Sequence, residues 1–466
     1  MKVLSVTSEC APLVKTGGLA DVAGALPGAL AEHGVEMRTL LPGYPKVMAA
    51  LRKPEPFWNA KSLMGGPARV LAARAGGLDL FVLDAPHLFD RPGGPYQDER
   101  GDDFPDNPER FAALGQAAIA VAREWNADLL HCHDWQAGLA PYYARETDVP
   151  SVLTIHNIAF QGMAPPERLD ALGLDERDFT RDGFEFWSQI SALKAGLVWA
   201  DRITTVSPTY ARELTSPEFG FGFDGLLRHR NADLSGILNG IDMQAWDPRT
   251  DPQAGFSTPR GKGKCKRKLR RAFELPESEG PLAVVVSRLS QQKGLDLLLD
   301  ALPAFVDRGG QIALLGSGDR ILEHRWQERA AGHPHVAVKI GYDEPLSHLM
   351  YAGADAVLVP SRFEPCGLTQ MYGLRYGALP CVARTGGLAD TVVDANPAAL
   401  LTNAATGFVH APDNVHALAG RLMDMIDLWN QPDAWASMQV RAMKAPVGWD
   451  RSAKAYADLY ASLTSQ

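Results

Sequence analysis

Short runs rich in Val, Ile and Leu alternate with longer helical stretches along this chain, and they do so in two separate series. Unbroken apolar strands between helices are the mark of parallel sheets covered on both faces. The first series predicts strands at Lys2–Ser8, Val35–Leu41, Leu78–Leu83, Ala127–His133, Ser151–His156 and Arg202–Val206. Helical stretches such as Leu19–Glu32, Pro108–Trp125 and Phe184–Trp199 lie between them. The second series places strands at Leu282–Ser287, Gln311–Leu315, Val336–Ile340, Ala356–Pro360 and Pro380–Ala383. With 466 residues, several domains are expected, and two doubly wound α/β domains satisfy both length and pattern.

The break between the series falls between about Asp242 and Gly280. It holds Trp246-Asp-Pro248, a Gly/Ser/Thr/Pro-rich run, and seven cations between Lys262 and Arg271. A nucleic-acid patch is disfavoured there, because the chain carries a net charge of −9 and no aromatic residues interleave the cations. A solvated helix start is the expected reading. The boundaries drawn are 1–242 for an N-terminal domain, 243–280 for a linker and basic segment, and 281–447 for a C-terminal domain. The pattern at Arg451–Leu463 gives a terminal helix, 448–466, expected to pack back on the N-terminal domain.

Composition narrows the class further. No apolar run reaches the ~18 residues needed to cross a bilayer. The five cysteines include no C-x-x-C pair, so a reducing, cytoplasmic setting is expected rather than a disulfide framework. His131 and His133 share a strand face but lack a third ligand at metal-like spacing, so no metal site is expected and they read as residues lining a cleft. No two Asp are separated by a single residue, so paired-Asp metal handling of a diphosphate has no support.

One hexapeptide occurs twice, as Thr16-Gly-Gly-Leu-Ala-Asp21 and Thr385-Gly-Gly-Leu-Ala-Asp390. Each copy sits at a strand-to-helix turn, where glycines admit close backbone approach and helix N–H groups attract anions. Tight turns kept for geometry alone are the competing explanation. Other polar clusters end strands at the ligand-binding edge of such sheets. His156-Asn157 closes one strand, with a satisfied structural histidine as the alternative. Arg288 and Lys293 flank another strand end and could clamp a diphosphate, or simply be solvated cations. Glu364 precedes Pro365, and the N–H groups of Gly367 to Thr369 could accept an anion. Cys366 reads as a contact residue or space filler. Gly316-Ser-Gly318 lacks the third glycine of the dinucleotide fingerprint, so an NAD dehydrogenase is poorly supported.

Together these motifs resemble the bacterial glycogen synthase and plant starch synthase family. The resemblance is carried by Lys15–Asp21, His131–Trp135 with Ala137-Gly-Leu139, and His156-Asn157 with Gln161-Gly162. It continues through Asn239–Asp242 with Trp246-Asp-Pro248, Ser287-Arg288 with Lys293-Gly294, and Ser361–Thr369. It implies two Rossmann-like domains facing across a deep cleft (the GT-B type), and a retaining glucosyltransferase building α-1,4-glucan from ADP-glucose without a cofactor. Glycogen and ADP-glucose are then the partners; nucleic acid and membrane are not.

By the same resemblance, Lys15 and the Gly17–Gly18 turn, with Asp21, touch the nucleotide sugar from the N-terminal, acceptor-side domain. Arg288 and Lys293 hold the diphosphate, with Cys366, Gly367, Leu368 and Thr369 presenting a helix N-terminus to it. Tyr342 lines the adenine pocket, Glu364 lies near the transferred sugar, and Asp134 and His156 line the donor and acceptor side. Asn239 sits between the domains. UDP-glucose as donor, a pyridoxal-phosphate-dependent glucan phosphorylase, and a non-catalytic glucan-binding protein are the alternatives. The phosphorylases are much longer, and a non-catalytic protein should lack some of Lys15, Arg288, Lys293 and Glu364.

Overall fold

The computed structural model describes residues 1–464, which form two compact α/β units. The first comprises Met1–Asn239 together with the segment from Trp449; the second is Gly240–Gly448.

The first unit is built on a nine-stranded sheet. Its order is Leu234–Gly236, Arg202–Thr205, Ser151–Ile155, Leu129–His133, Lys2–Val6, Glu36–Pro42, Leu78–Asp84, Gly66–Ala75 and Arg52–Leu63. The first seven run parallel; the last two form an antiparallel hairpin on the edge. All six strands expected in this half are present. The hairpin was not foreseen, because Arg52–Leu63 is mostly exposed and contains Pro54 and Pro56, which argue against a strand. Its edge position removes that objection, since an edge strand has one side free of ladder bonds. The stretch Phe184–Trp199 is helical only over Ala192–Trp199. Its first half is instead a tight hairpin, Glu185–Phe186 paired with Gln189–Ser191.

The terminal helix Asp450–Thr464 packs beside the helix Gly18–Ala31 in the first unit. Trp449, Tyr456 and Tyr460 bury their rings there with Val3, Leu26, Leu30 and Leu129.

The second unit has six parallel strands, ordered Val336–Ile340, Gln311–Gly316, Leu282–Val286, Ala356–Val359, Leu379–Ala383 and Phe408–His410. Five match the second series; the three-residue sixth is too short for its pattern to register. Residues 243–280 are pinned into this unit. The Trp246 ring stacks between His348 and Tyr372 at 3.9 and 3.7 Å. Asp251 accepts bonds from His348 Nδ1 and the Tyr376 hydroxyl. The basic run forms the helix Lys262–Ala272, on which Lys264, Arg267, Lys268 and Arg271 are exposed. Lys262 and Arg270 are buried, and the Lys262 ammonium donates to the carbonyls of Tyr351, Ala352 and Tyr376 at 2.8–3.0 Å. Three carbonyls replace its lost water, yet burial still pushes its pKa down to about 7.

Candidate active site

In the first unit, three neighbouring parallel strands bring their carboxyl ends together: Lys2–Val6, Leu129–His133 and Ser151–Ile155. After the first comes the loop to Lys15 and the helix Gly18–Ala31, whose N-cap is Gly17. After the second comes Asp134; after the third, His156. The parallel registry therefore gathers Lys15, Gly17, Gly18, Asp21, Asp134 and His156 at one edge.

The glycine loop is shaped by Glu9, a buried residue that the sequence reading missed. Its carboxylate accepts bonds from the Thr16 N–H and hydroxyl, both at 2.5 Å, from the Gly17 N–H at 3.2 Å and from the Tyr96 hydroxyl at 2.5 Å. A buried anion is tolerable with that many donors, and in exchange it fixes the loop. The available signal was an acidic residue three positions past a buried strand. Lys15 forms an exposed ion pair with Asp21 at 2.7 Å, a contact worth little to stability and readily exchanged for a ligand anion.

Asp134 sits at φ 53°, ψ −167°, a backbone conformation side chains avoid, at the turn out of its strand. Its Oδ1 accepts the His156 N–H at 2.6 Å and the Asn157 N–H at 3.3 Å, so it holds the start of the next loop. Burial pushes its pKa up to about 7 against the downward pull of those two N–H groups, with a further upward push from Glu9. His156 Nε2 meets His133 Nδ1 at 3.0 Å, and His133 Nε2 meets Ser5 Oγ at 3.2 Å. Burial, with the neighbouring His133, keeps the His156 imidazole neutral.

His131 and His133 do not line an edge. Both are fully buried, with ring centroids 4.1 Å apart and planes tilted by 39°. His131 is satisfied by Thr154 Oγ1 at 2.6 Å and by the Tyr460 hydroxyl at 2.7 Å, the latter on the terminal helix. Period-2 alternation places the two rings on one strand face but does not show that the terminal helix covers it. Asn239, at the end of the first unit, lies apart, three residues beyond the sheet's edge strand. It is buried and its Oδ1 has no hydrogen-bond partner.

In the second unit, Leu282–Val286 and Ala356–Val359 are adjacent, so their following loops meet. Lys293 Nζ sits 2.8 and 2.6 Å from the two oxygens of Glu364, and Ser361 Oγ donates to one of them at 2.8 Å. Arg362 ties this loop down, with both its terminal nitrogens on Asp296 at 2.8 and 2.7 Å and its Nε on Asp413 at 2.7 Å. The Arg362 bonds hold the Asp296 carboxyl below its usual pKa. Arg288 is exposed and has no ion pair among the described residues. Gly367 has φ +71°, and a Cβ there would meet Gln370 Oε1 at 2.5 Å and Glu364 Cγ at 3.1 Å. Leu368 and Thr369 then open the helix Thr369–Tyr376 with its N-terminus partly exposed, whereas Cys366 is buried. Tyr342 follows the edge strand Val336–Ile340 and is 77% exposed, a large apolar ring held out in solvent.

The two copies of the repeated hexapeptide differ in environment. A Cβ on Gly17 would meet nothing within 4 Å, so no protein atom demands a glycine there. Gly386, at φ +43°, would put a Cβ 2.0 Å from the Glu364 carbonyl, and Gly387 would meet Cys366 O at 2.2 Å. The Gly387 N–H also donates to the carbonyls of Glu364 and Pro365, at 3.2 and 3.0 Å. The second copy is thus a packing corner that supports the Glu364 loop; only the first is open. Among the described residues no group of three His, Cys, Asp or Glu is placed to hold a metal ion, and no helix is long and apolar enough to cross a membrane.

Comparisons with known proteins show the family. Residues 2–229 match the starch synthase catalytic domain family, and residues 266–439 match the glycosyl transferases group 1 family. A glycogen synthase of Paracoccus denitrificans (strain Pd 1222) is 56% identical over 471 residues, covering 100% of both chains. The chain belongs to the glycogen and starch synthase family. A glycogen synthase of Jannaschia sp. (strain CCS1) is 57% identical, with 98% of each chain covered. The catalytic domain of starch synthase IV from Arabidopsis thaliana, solved bound to ADP and acarbose, superposes with a TM-score of 0.90 at 30% identity. That match covers 100% of this chain and 99% of the other. This member of the family is therefore a glycosyltransferase of GT-B type, with both Rossmann-like units accounted for.

Proposed function

We propose that this enzyme transfers glucose from ADP-glucose to the non-reducing end of an α-1,4-glucan, with retention at C1 and release of ADP. The observation that carries the reading is the full-length likeness to glycogen synthases, joined to a solved relative holding ADP and acarbose. In this reading Arg288, Lys293 and the N-terminus at Gly367–Thr369 receive the diphosphate, and Tyr342 offers its ring to the adenine. Within the first unit, Lys15 and the open Gly17–Gly18 turn, with Asp21, offer contacts to the nucleotide sugar. Asn239 offers its unpartnered Oδ1 to a substrate hydroxyl.

The chemistry follows from charge. As the bond from glucose C1 to the phosphate oxygen breaks, its electron pair leaves with ADP and the sugar becomes oxocarbenium-like. Arg288 and Lys293 then stabilise the departing diphosphate more than the intact donor, which is what lowers a barrier. The acceptor 4-hydroxyl attacks C1 from the face being vacated and passes its proton to the leaving phosphate. Glu364 supports this from the side rather than as a nucleophile, since Lys293 and Ser361 engage its oxygens. Neutral His156 and Asp134 order the loop that meets the sugar hydroxyls.

Purified protein given ADP-glucose and glycogen should release ADP and lengthen the glucan. Preference for UDP-glucose in a direct donor competition overturns the donor assignment, and ADP release without glucan growth overturns the transfer.

A further inference from the structure

Between residues 150 and 230, every large hydrophobic side chain described as exposed is aromatic: Phe160 at 54%, Trp187 at 77% and Phe221 at 42%. They fall on three loops that touch one another. A Cβ on Gly222 would lie 2.8 Å from the Phe186 ring and 3.8 Å from Trp187 Nε1, so the Phe221–Phe223 loop lies against the Trp187 hairpin. Phe186 and Phe223 lock that contact with ring centroids 4.3 Å apart. Gln161, next to Phe160, donates its side-chain amide to the Phe221 carbonyl at 3.0 Å.

The backbone makes the exposure notable. Trp187 and Ser188 are the central residues of a two-residue turn with φ of 53° and 62°, positions normally given to Asn and Gly. Phe221 is likewise left-handed, at φ 49°. Bulky residues are genuine outliers in that region, and these two occupy it while leaving much of each side chain exposed. Trp187 keeps an edge contact with the Phe186 ring, centroids 5.8 Å apart. The neighbouring side chains of Ser188, Gln189 and Gln161 are polar and wholly or partly exposed, giving a rim that can meet hydroxyls.

We propose that Phe160, Trp187 and Phe221 form a platform for the glucan chain, stacking on glucose units set back from the end that reacts. The proposal rests on the transfer reaction argued above and extends it to the acceptor. The electron-rich faces of aromatic rings attract the C–H faces of a pyranose, while amides and hydroxyls around them meet its hydroxyl edge. Continuity argues for the occupant: the Phe160 N–H donates to the Asn157 carbonyl at 3.3 Å, so the first ring stands one turn from His156, and Gln161 joins it to the Phe221 loop. An aliphatic protein partner would call for Leu, Ile or Met among the exposed residues, and this stretch offers none.

The test compares acceptors of different length. In Trp187→Gly and Phe221→Gly, the ratio of kcat/KM for glycogen to kcat/KM for maltotriose should fall about tenfold. A ratio within twofold of the parent's overturns the platform. Glycine is at ease at positive φ, so both variants should melt no lower than the parent by more than a few degrees, which separates lost binding from lost folding. Retardation in a native gel containing glycogen gives an independent reading: weakened retardation supports the platform, and unaltered retardation contradicts it. Should the parent protein transfer no glucose to either acceptor, the reaction assigned above fails, while the gel still decides the platform.

Discussion

Lys293 and Glu364 define each other's behaviour. The ammonium lies within 2.8 Å of both carboxylate oxygens, and both side chains are largely removed from solvent. In the proposed function an incoming diphosphate meets a lysine already oriented by Glu364. Lys293→Ala is expected to lower kcat at least 10²-fold at saturating ADP-glucose, the scale of one lost preorganised donor at about 3 kcal/mol. A kcat near the parent's removes Lys293 from the diphosphate clamp. Asp134 makes a separate prediction. Its folded pKa, about 7, lies above the unfolded value, so the unfolded chain releases this proton first as pH rises. Its effect is thus a loss of stability between about pH 4 and 7, flat above that. Asp134→Asn should remove that slope, measured by urea unfolding at pH 5 and pH 8; an unchanged slope assigns it to other groups. Arg288 and Glu364 could be picked out by eye because they follow apolar strands, and Lys15 by its place in a motif shared with the family. Glu9 and Arg362 could not, since their importance comes from partners far along the chain, at Tyr96 and Asp296.

At the scale of elements, one hexapeptide serves two ends. In the first copy a Cβ on Gly17 would meet nothing within 4 Å, whereas in the second a Cβ on Gly386 would run into the Glu364 carbonyl. Gly386→Ala should cost on the order of 2–4 kcal/mol, from overpacking and a left-handed backbone together, seen as a lower urea midpoint. Gly17→Ala should leave that midpoint within ~0.5 kcal/mol of the parent and instead raise the KM for ADP-glucose. Equal effects on stability would undo the distinction. Periodicity revealed eleven strands because a buried parallel strand must be apolar throughout. It missed the Arg52–Ala75 hairpin, whose outer strand is exposed, and it extended a helix through Trp187-Ser188, where no glycine or asparagine announces a turn. The repeat was visible, but identical letters do not reveal which copy is covered.

For the whole molecule, fixed cations of the second unit, Arg288 and Lys293, are proposed to carry the charge of the leaving diphosphate. Both stand at the carboxyl edge of one parallel sheet, beside the open N-terminus of the helix Thr369–Tyr376. The two-domain plan could be read from the alternation of strands and helices, and the substrate class from motifs taken together rather than singly. The most direct measurement is the initial rate of glucose transfer from ADP-glucose to glycogen in excess EDTA at constant ionic strength. Charge neutralisation by Arg288 and Lys293 should give the same rate with and without the chelator. A rate that collapses in EDTA and returns on adding a divalent cation would contradict it.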